Sequence, residues 1–198
     1  MSSEGISRIL NPRSIAIIGA TDEFFKAGAM VSANIIACGF EGKVYPVHLR
    51  KPKIFGLKAY PSIKDIPGEV DLAYIVVRVS LVPQTLDECG EKGVRGAIIG
   101  TSGFKEVGEE SLNLEIQQVA AKWGIRFLGP NCLEFYNSSN RLNTTSIAAY
   151  PPKGSLGIIS QPGRGSTLKI QKHENWLPTF LIRVEILIKN IILCLNLV

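Results

Sequence analysis

Histidine and clustered cysteine are scarce in this sequence. Its 198 residues include two histidines, His48 and His173, and four cysteines spread between Cys38 and Cys194 without a Cys-x-x-Cys pair. Zinc sites and the disulfide frameworks of secreted domains need closely spaced ligands or paired cysteines, so this pattern favours free thiols. We therefore expect no metal site and a chain that works in the reducing cytoplasm.

Long apolar runs and a secretory leader are also missing. The last clear apolar stretch, residues 191–198, is far shorter than the roughly 20 residues needed to span a bilayer. Residues 1–5 carry no basic segment ahead of an apolar core, as a leader peptide would. We predict no membrane partner.

Acidic residues are absent from residues 42–64, a window that carries six lysines and arginines. The basic residues of this window are Lys43, Arg50, Lys51, Lys53, Lys58 and Lys64. The formal net charge of the chain is only +5, so this local excess is more informative than the overall balance. Aromatic residues do not recur among these cations at the spacing typical of nucleic-acid binding. The window therefore predicts contact with a phosphate-bearing small molecule and no nucleic-acid partner.

Apolar, β-branched runs alternate with helical segments along most of the chain. Strands are predicted over residues 14–18, 43–47, 72–77, 96–100 and 125–128, and helices over residues 27–38, 80–92 and 106–123. This alternation predicts an α/β fold, a Rossmann-like parallel sheet with helices on both faces. Right-handed crossovers then place the strand-to-helix loops at one edge of the sheet, where a ligand is expected to bind.

The turn after the first strand and the end of the second strand narrow the choice of ligand. Residues 19–21 read Gly-Ala-Thr, and the next glycine is Gly28, so the G-x-G-x-x-G fingerprint is incomplete. The second strand is followed by residues 48–51, His-Leu-Arg-Lys, where a NAD-binding fold has an acidic residue for the ribose. Cations there suit a phosphate on the ribose, which leaves NADP and coenzyme A as candidates.

A second unit begins after the pattern loosens beyond Asn131. Residues 155–160 predict a new strand and residues from 166 a new helix, which is typical of a further, flavodoxin-like α/β domain. No glycine follows Gly165, and from Trp176 the chain is rich in Leu, Ile, Asn and Lys. Our hypothesis is that residues 176–198 are an atypical tail, the premature or frame-shifted end of a longer protein.

Five segments together carry a family resemblance. They are residues 17–21 (IIGAT), 42–47 (GKVYPV), 102–104 (SGF), 129–133 (GPNCL) and 154–161 (GSLGIISQ). In this order they resemble the CoA-binding part of the nucleoside-diphosphate-forming acyl-CoA synthetases, such as ADP-forming acetyl-CoA synthetase and, more distantly, the succinyl-CoA synthetase α subunit. The resemblance covers about residues 8–175. It implies a CoA-binding domain over 8–135, a linker over 136–153 and the start of a succinyl-CoA-ligase-like domain over 154–175.

The resemblance also implies a set of residues that bind coenzyme A. The turn from Gly19 would lie against the nucleotide, Lys51 would contact a phosphate, and Asn131 and Cys132 would lie near the thiol. Loops after the third and fourth strands would line the path of the pantetheine. The expected cofactor-binding residues are Gly19, Ala20, Thr21, Asp22, Phe24, Val47, His48, Lys51, Val77, Arg78, Thr101, Ser102, Asn131 and Cys132.

Several positions depart from the family pattern, and no catalytic residue is expected. The family has Asn-Pro where this chain has His48 and Leu49, and Ser-Gly where it has Pro162 and Gly163. It has Pro at the position of Arg78 and Gly at the position of Glu134. It phosphorylates a histidine in its second domain, and His173 lies outside that sequence context. The resemblance implies a chain that binds CoA within an ADP-forming acetyl-CoA synthetase, with an ATP-grasp subunit or domain supplied in trans. The alternatives are an NADP-binding oxidoreductase domain and a stand-alone CoA-sensing module.

Overall fold

The computed structural model describes residues 4–104, 108, 110–132, 134–145, 156–160 and 178–183. Pro162, His173 and the helix predicted from residue 166 lie outside the described residues. In chain order the strands are β1 (Ser14–Ile18), β2 (Lys43–Val47), β3 (Lys53–Ile54), β4 (Leu57–Lys58), β5 (Leu72–Ile75), β6 (Gly96–Ile99), β7 (Arg126–Leu128), β8 (Glu134–Asn137), β9 (Leu142–Asn143), β10 (Leu156–Ser160) and β11 (Pro178–Arg183). The helices are α1 (Glu4–Leu10), α2 (Ala27–Cys38), α3 (Val82–Glu91) and α4 (Glu110–Trp123).

A five-stranded parallel sheet in the order β2-β1-β5-β6-β7 forms the centre of the fold. Every residue of β1, β5 and β6 is buried, because helices cover both faces and the strands need no polar alternation. Ile15 and Ile17 face the core that includes α2, whereas Ala16 faces the core that includes α3 and α4. The predicted Rossmann-like α/β fold is confirmed.

The strand order reverses at β1, which lies between β2 and β5. Ile18 pairs with Val47 of β2 and with Ile75 of β5, so these three strands end at the same level. Just beyond, the Gly19 amide donates to the Val47 carbonyl at 3.2 Å and the Val76 amide donates to the Ile18 carbonyl at 2.9 Å. Ligands of open parallel sheets bind in the crevice at such a switch point.

The sequence prediction missed a helix and a hairpin within the first 60 residues. Residues 4–10 form α1 where a short lead-in was expected; its Ile9 is buried in the core and its Arg8 pairs with Asp71. A helix this short shows no periodicity in sequence. The β3-β4 hairpin turns at Phe55 and Gly56, whose φ values are 47° and 81°. Two positive φ angles suit a two-residue hairpin loop, but Phe-Gly is not one of the usual sequence signals.

A second sheet, in the order β10-β11-β8-β9, includes strands from the predicted linker and tail. Strand β9 and part of β8 lie in the predicted linker, and β11, which lies in the predicted tail, pairs parallel to β10 and antiparallel to β8. The sequence predicted a loop here because many of these residues are polar. In the structure their polar groups form hydrogen bonds within the protein. Buried Asn137 donates to the Leu10 carbonyl at 2.6 Å, and Thr144 donates its amide to Phe135. The domain boundaries themselves remain a prediction.

Candidate functional site

The turn between β1 and α2 depends on two glycines that touch each other. Gly19 has φ of +92°, and a Cβ on it would lie 2.2 Å from the Val76 carbonyl oxygen. A Cβ on Gly28, in the first turn of α2, would lie 2.1 Å from the Gly19 carbonyl oxygen. Gly28 thus performs the close helix-to-strand packing that the last glycine of a dinucleotide fingerprint provides, despite its longer spacing. The sequence analysis did not assign Gly28 this role, because its spacing from Gly19 does not match the fingerprint.

Helix α2 begins at this turn with its positive end unneutralised. Its N-cap residue, Lys26, makes no side-chain capping bond, and the first turn contains no acidic residue. The amino end of a helix carries partial positive charge and orphan N–H groups, which together favour an anion. This end therefore suits a phosphate group, as expected for the start of a nucleotide site.

Residues 20–25 shape the turn in front of that helix end. Ala20 and Thr21 are buried, and Thr21 Oγ1 accepts a hydrogen bond from the Glu23 amide at 3.2 Å. Phe24 and Phe25 are 84% and 98% exposed, and Phe25 has φ of 72°. The predicted contact residue Phe24 is therefore at the surface beside the crevice, together with a second ring that the sequence analysis had not singled out.

The loop after β2 brings Lys51 to the same turn. His48 Nδ1 accepts the amides of Arg50 at 3.1 Å and Lys51 at 3.0 Å, so the imidazole shapes the loop from within. The Lys51 ammonium contacts the Asp22 carboxylate, and its Nζ is 3.7 Å from Glu23 Oε1. The first turn and the basic window, which the sequence analysis placed at the same edge of the sheet, meet here.

The charges in this contact shift one another's proton affinity. The hydrogen bond from Lys51 lowers the pKa of Asp22, and the same bond raises the pKa of Lys51. Glu23 also has a lowered pKa, chiefly because Lys26 donates to it at 2.6 Å. Both carboxylates and Lys51 are therefore held in their charged forms at neutral pH.

Hydrogen bonds join the loops after β5, β6 and β7. Thr101 Oγ1 donates to the Val77 carbonyl at 2.9 Å, and the Asn131 amide donates to the Thr101 carbonyl at 2.9 Å. Arg78 and Ser102 are exposed on the first two of these loops. The predicted residues Val77, Thr101 and Asn131 thus lie side by side along the carboxyl edge of the sheet.

Cys132 lies beneath this edge rather than on it. It is fully buried, and its amide donates to the Ile99 carbonyl at 3.0 Å. In the same core cluster, Tyr74 Oη lies against Gly100, where a Cβ would be 2.4 Å away. Burial raises the pKa of Tyr74, and the part of the chain that the structure describes offers its hydroxyl no hydrogen-bond partner.

A cavity of about 430 Å³ lies at the opposite edge, where the strands begin. Asp71, which lines it, is 3% exposed and accepts the Arg13 amide at 2.7 Å and the Arg8 guanidinium. Its carboxylate is therefore paired within the chain, at the edge of the sheet away from the loops where the ligand is expected. Among the described residues there is no group of three metal-ligating side chains and no helix that could cross a bilayer.

Comparison with known proteins decides the family. Residues 13–138 match the family described as CoA binding domain. The chain belongs to this family. It is 49% identical over 155 residues to subunit alpha of ADP-forming acetate–CoA ligase II of Pyrococcus furiosus, a match covering 77% of this chain and 34% of the relative. It is 45% identical over 152 residues to ADP-forming acetate–CoA ligase of Methanocaldococcus jannaschii, covering 77% and 21%.

A solved structure supports the same assignment. Acetyl-coenzyme A synthetase 1 of Ca. Korarchaeum cryptofilum, described as dinucleotide forming and in complex with phosphate and ADP, superposes with a TM-score of 0.83. The identity is 35%, and the match covers 91% of this chain and 39% of that one. The family expected from the sequence is confirmed, with coenzyme A as the ligand of this domain. The chain spans 21% and 34% of the two curated relatives.

Proposed function

We propose that this chain supplies the coenzyme A site of an ADP-forming acyl-CoA ligase, with acetate as the acid that the names of its relatives favour. The observation that carries the proposal is the meeting of Lys51 with the turn that follows β1, at the switch point of a CoA binding domain. A cation, a glycine turn and a helix amino end lie together there. This combination suits the phosphates of a nucleotide.

The individual roles follow the order of the loops across the sheet. The nucleotide lies against Gly19, Ala20 and Thr21, with Lys51 beside its phosphates and Val47 and His48 at the edge of β2. Phe24 offers an exposed ring to the adenine. The pantetheine then passes Val77, Arg78, Thr101 and Ser102, and the thiol ends beside Asn131. Cys132 supports this end from within the core, because its side chain is fully buried.

The CoA binding domain holds the cofactor, and other parts of the enzyme carry out the chemistry. The resemblance implies an enzyme that passes a phosphoryl group through a histidine, forms an acyl phosphate and joins the acyl group to CoA. In this scheme the partner of the chain is an ATP-grasp subunit or domain. The enzyme works in the cytoplasm. No residue of this chain is assigned a catalytic role.

Calorimetric titration with CoA, dephospho-CoA and NADP, at low and moderate salt, tests the proposal. We expect CoA to bind, dephospho-CoA to bind more weakly because it lacks the 3′-phosphate, and added salt to weaken both. Binding of NADP alone would move the chain to the oxidoreductases. Failure of CoA to bind would overturn the proposal for this chain.

Two lysines of the same strand region provide a matched pair of variants. Lys51→Met removes the cation at the carboxyl end of β2, whereas Lys43→Met removes an exposed cation at the amino end of that strand. We expect Lys51→Met to lower CoA affinity about tenfold, since a charge-assisted contact contributes about 1.5 kcal/mol or more. Lys43→Met should leave the affinity within about twofold.

A further inference from the structure

Four charged side chains form one cluster at the opening of the crevice, called here the mouth cluster: Asp22, Glu23, Lys26 and Lys51. Lys51 contacts Asp22 and is 3.7 Å from Glu23, while Lys26 is 2.6 Å from Glu23. The acids come from the turn after β1, and Lys51 comes from the loop after β2. The cluster therefore spans the opening from one loop to the other, with no net charge.

Each member of the mouth cluster is open to solvent and to a ligand. The side chains of Lys51 and Asp22 are 35% and 41% exposed, and those of Lys26 and Glu23 are 62% and 49% exposed. A phosphate that approaches Lys51 from this side meets the Asp22 carboxylate on the same ammonium. Two anions at one cation repel each other, so the phosphate gains full contact only when the carboxylate withdraws.

Glu23 and Asp22 differ in what else holds them. Glu23 keeps Lys26 as an ion-pair partner at 2.6 Å, so its carboxylate has a contact that does not involve Lys51. Asp22 has Lys51 as its ion-pair partner among the side chains that the structure describes. Asp22 is therefore the carboxylate whose position changes when another anion takes Lys51.

We propose that Asp22 competes with the 3′-phosphate of coenzyme A for Lys51, and so sets how strongly the site distinguishes CoA from dephospho-CoA. This inference rests on the proposed function. The carboxylate occupies the ammonium in place of a phosphate oxygen and is displaced when the phosphorylated ribose binds. Asp22 thus reduces selectivity for the 3′-phosphate, an effect opposite to that of an ordinary contact residue.

The test measures the dissociation constants of CoA and dephospho-CoA for the full chain and for D22N, K51M and the double variant. D22N should bind CoA about two- to fivefold more tightly, the range expected when one exposed ion pair is removed. Its affinity for dephospho-CoA should stay unchanged. On the K51M background, D22N should have no effect on either ligand. Thermal unfolding of each variant shows whether it is folded.

Glu115→Gln is the matched control, because it makes the same charge change at an exposed position of α4, away from the mouth cluster. It should leave both affinities unchanged. The competition would be overturned if D22N bound CoA with unchanged or weaker affinity, or if it gained equally for both ligands. In that case, binding of CoA by the unaltered chain would still support the proposed function. If the unaltered chain bound no CoA, the proposed function and this inference would both fall.

Discussion

Gly28 of α2 packs directly on the carbonyl oxygen of Gly19, at a distance that admits no side-chain carbon. A Cβ at residue 28 would lie 2.1 Å from that oxygen, which belongs to the backbone and has little room to move. The contact fixes the start of the helix against the end of β1. It places the amino end of α2 at the crevice.

Gly28→Ala is therefore expected to destabilise the chain by about 1–3 kcal/mol, through overpacking against backbone. In an ordinary helix the same change would stabilise by about 1 kcal/mol, so the sign of the effect is the test. Chemical denaturation monitored by circular dichroism measures it. Ala37→Gly, at an exposed position of the same helix, should destabilise by up to about 1 kcal/mol. A stabilised Gly28→Ala variant would contradict the packing.

Asp71→Asn is expected to lower the free energy of unfolding by about 1–2 kcal/mol. The carboxylate is 3% exposed and accepts bonds from Arg13 and Arg8 at the amino edge of the sheet, and such charge-assisted bonds are among the stronger ones. The neighbouring Glu69 is 85% exposed and 3.7 Å from Arg13, so Glu69→Gln should change stability by less than about 0.5 kcal/mol. Equal effects of the two substitutions would show that burial of Asp71 is unimportant.

Asp71→Asn also tests whether a loss of stability at this edge leaves CoA binding unchanged. Asp71 lies at the edge where the strands begin, opposite the loops that carry Lys51 and Asn131. Folded Asp71→Asn protein should bind CoA within about twofold of the unaltered chain, because no proposed contact involves that edge. A large loss of affinity without unfolding would connect the two edges.

The contact between α3 and α4 should make stability depend on pH in the acid range. Asp87 accepts hydrogen bonds from Lys122 at 2.7 Å and from Trp123 at 2.6 Å, and these bonds, with Lys122 first, lower its pKa. A carboxylate whose pKa is lower in the folded state adds stability above its unfolded value of 3.8 and loses that stability as pH falls through the folded value.

Comparison of the unaltered chain with Asp87→Asn measures this contribution. The difference between their thermal unfolding midpoints should be constant from pH 7 to about pH 5 and should shrink progressively below about pH 4. Asp65→Asn, a second carboxylate variant, controls for general acid effects, although it also weakens the bond that Asp65 accepts from the Ser62 amide. A difference that stays constant down to pH 3 would show that the charge of Asp87 contributes nothing.

Tyr74→Phe is expected to leave stability unchanged or to raise it by about 1 kcal/mol. The hydroxyl is buried against Gly100 without a partner among the described residues, and a buried polar group without a bond costs free energy. Denaturant titration measures the change. A loss of more than 1 kcal/mol would show that the hydroxyl forms a bond in solution.

The central sheet could be predicted from sequence because its strands carry a strong local signal. Residues 14–18 are apolar and β-branched and end at a glycine, and the bounds predicted for β1, β2 and α2 agree with the structure. The meeting of the β1 turn with the β2 loop also followed, since parallel strands bring their carboxyl ends to one edge. The hairpin at Phe55 and the helix over residues 4–10 lacked such a signal.

The sequence predicted the basic residue at the crevice but not the ion pair that it forms. The basic window pointed to Lys51, but its partner Asp22 lies 29 positions away in sequence. Pairing across loops is set by how the two turns fold, and no local pattern encodes it. Gly28 was overlooked for a similar reason, because its contact with Gly19 depends on a turn longer than the usual fingerprint.

The loop amides along the carboxyl edge donate to the carbonyls that end neighbouring strands. Val76 donates to Ile18, Gly100 to Ile75 and Cys132 to Ile99, each within 3.0 Å. None of these three loops can therefore open at that point without breaking a bond to the strand beside it. Exchange of these amides with solvent deuterium should occur through one cooperative opening, and coenzyme A bound at any single loop would slow exchange at all of them.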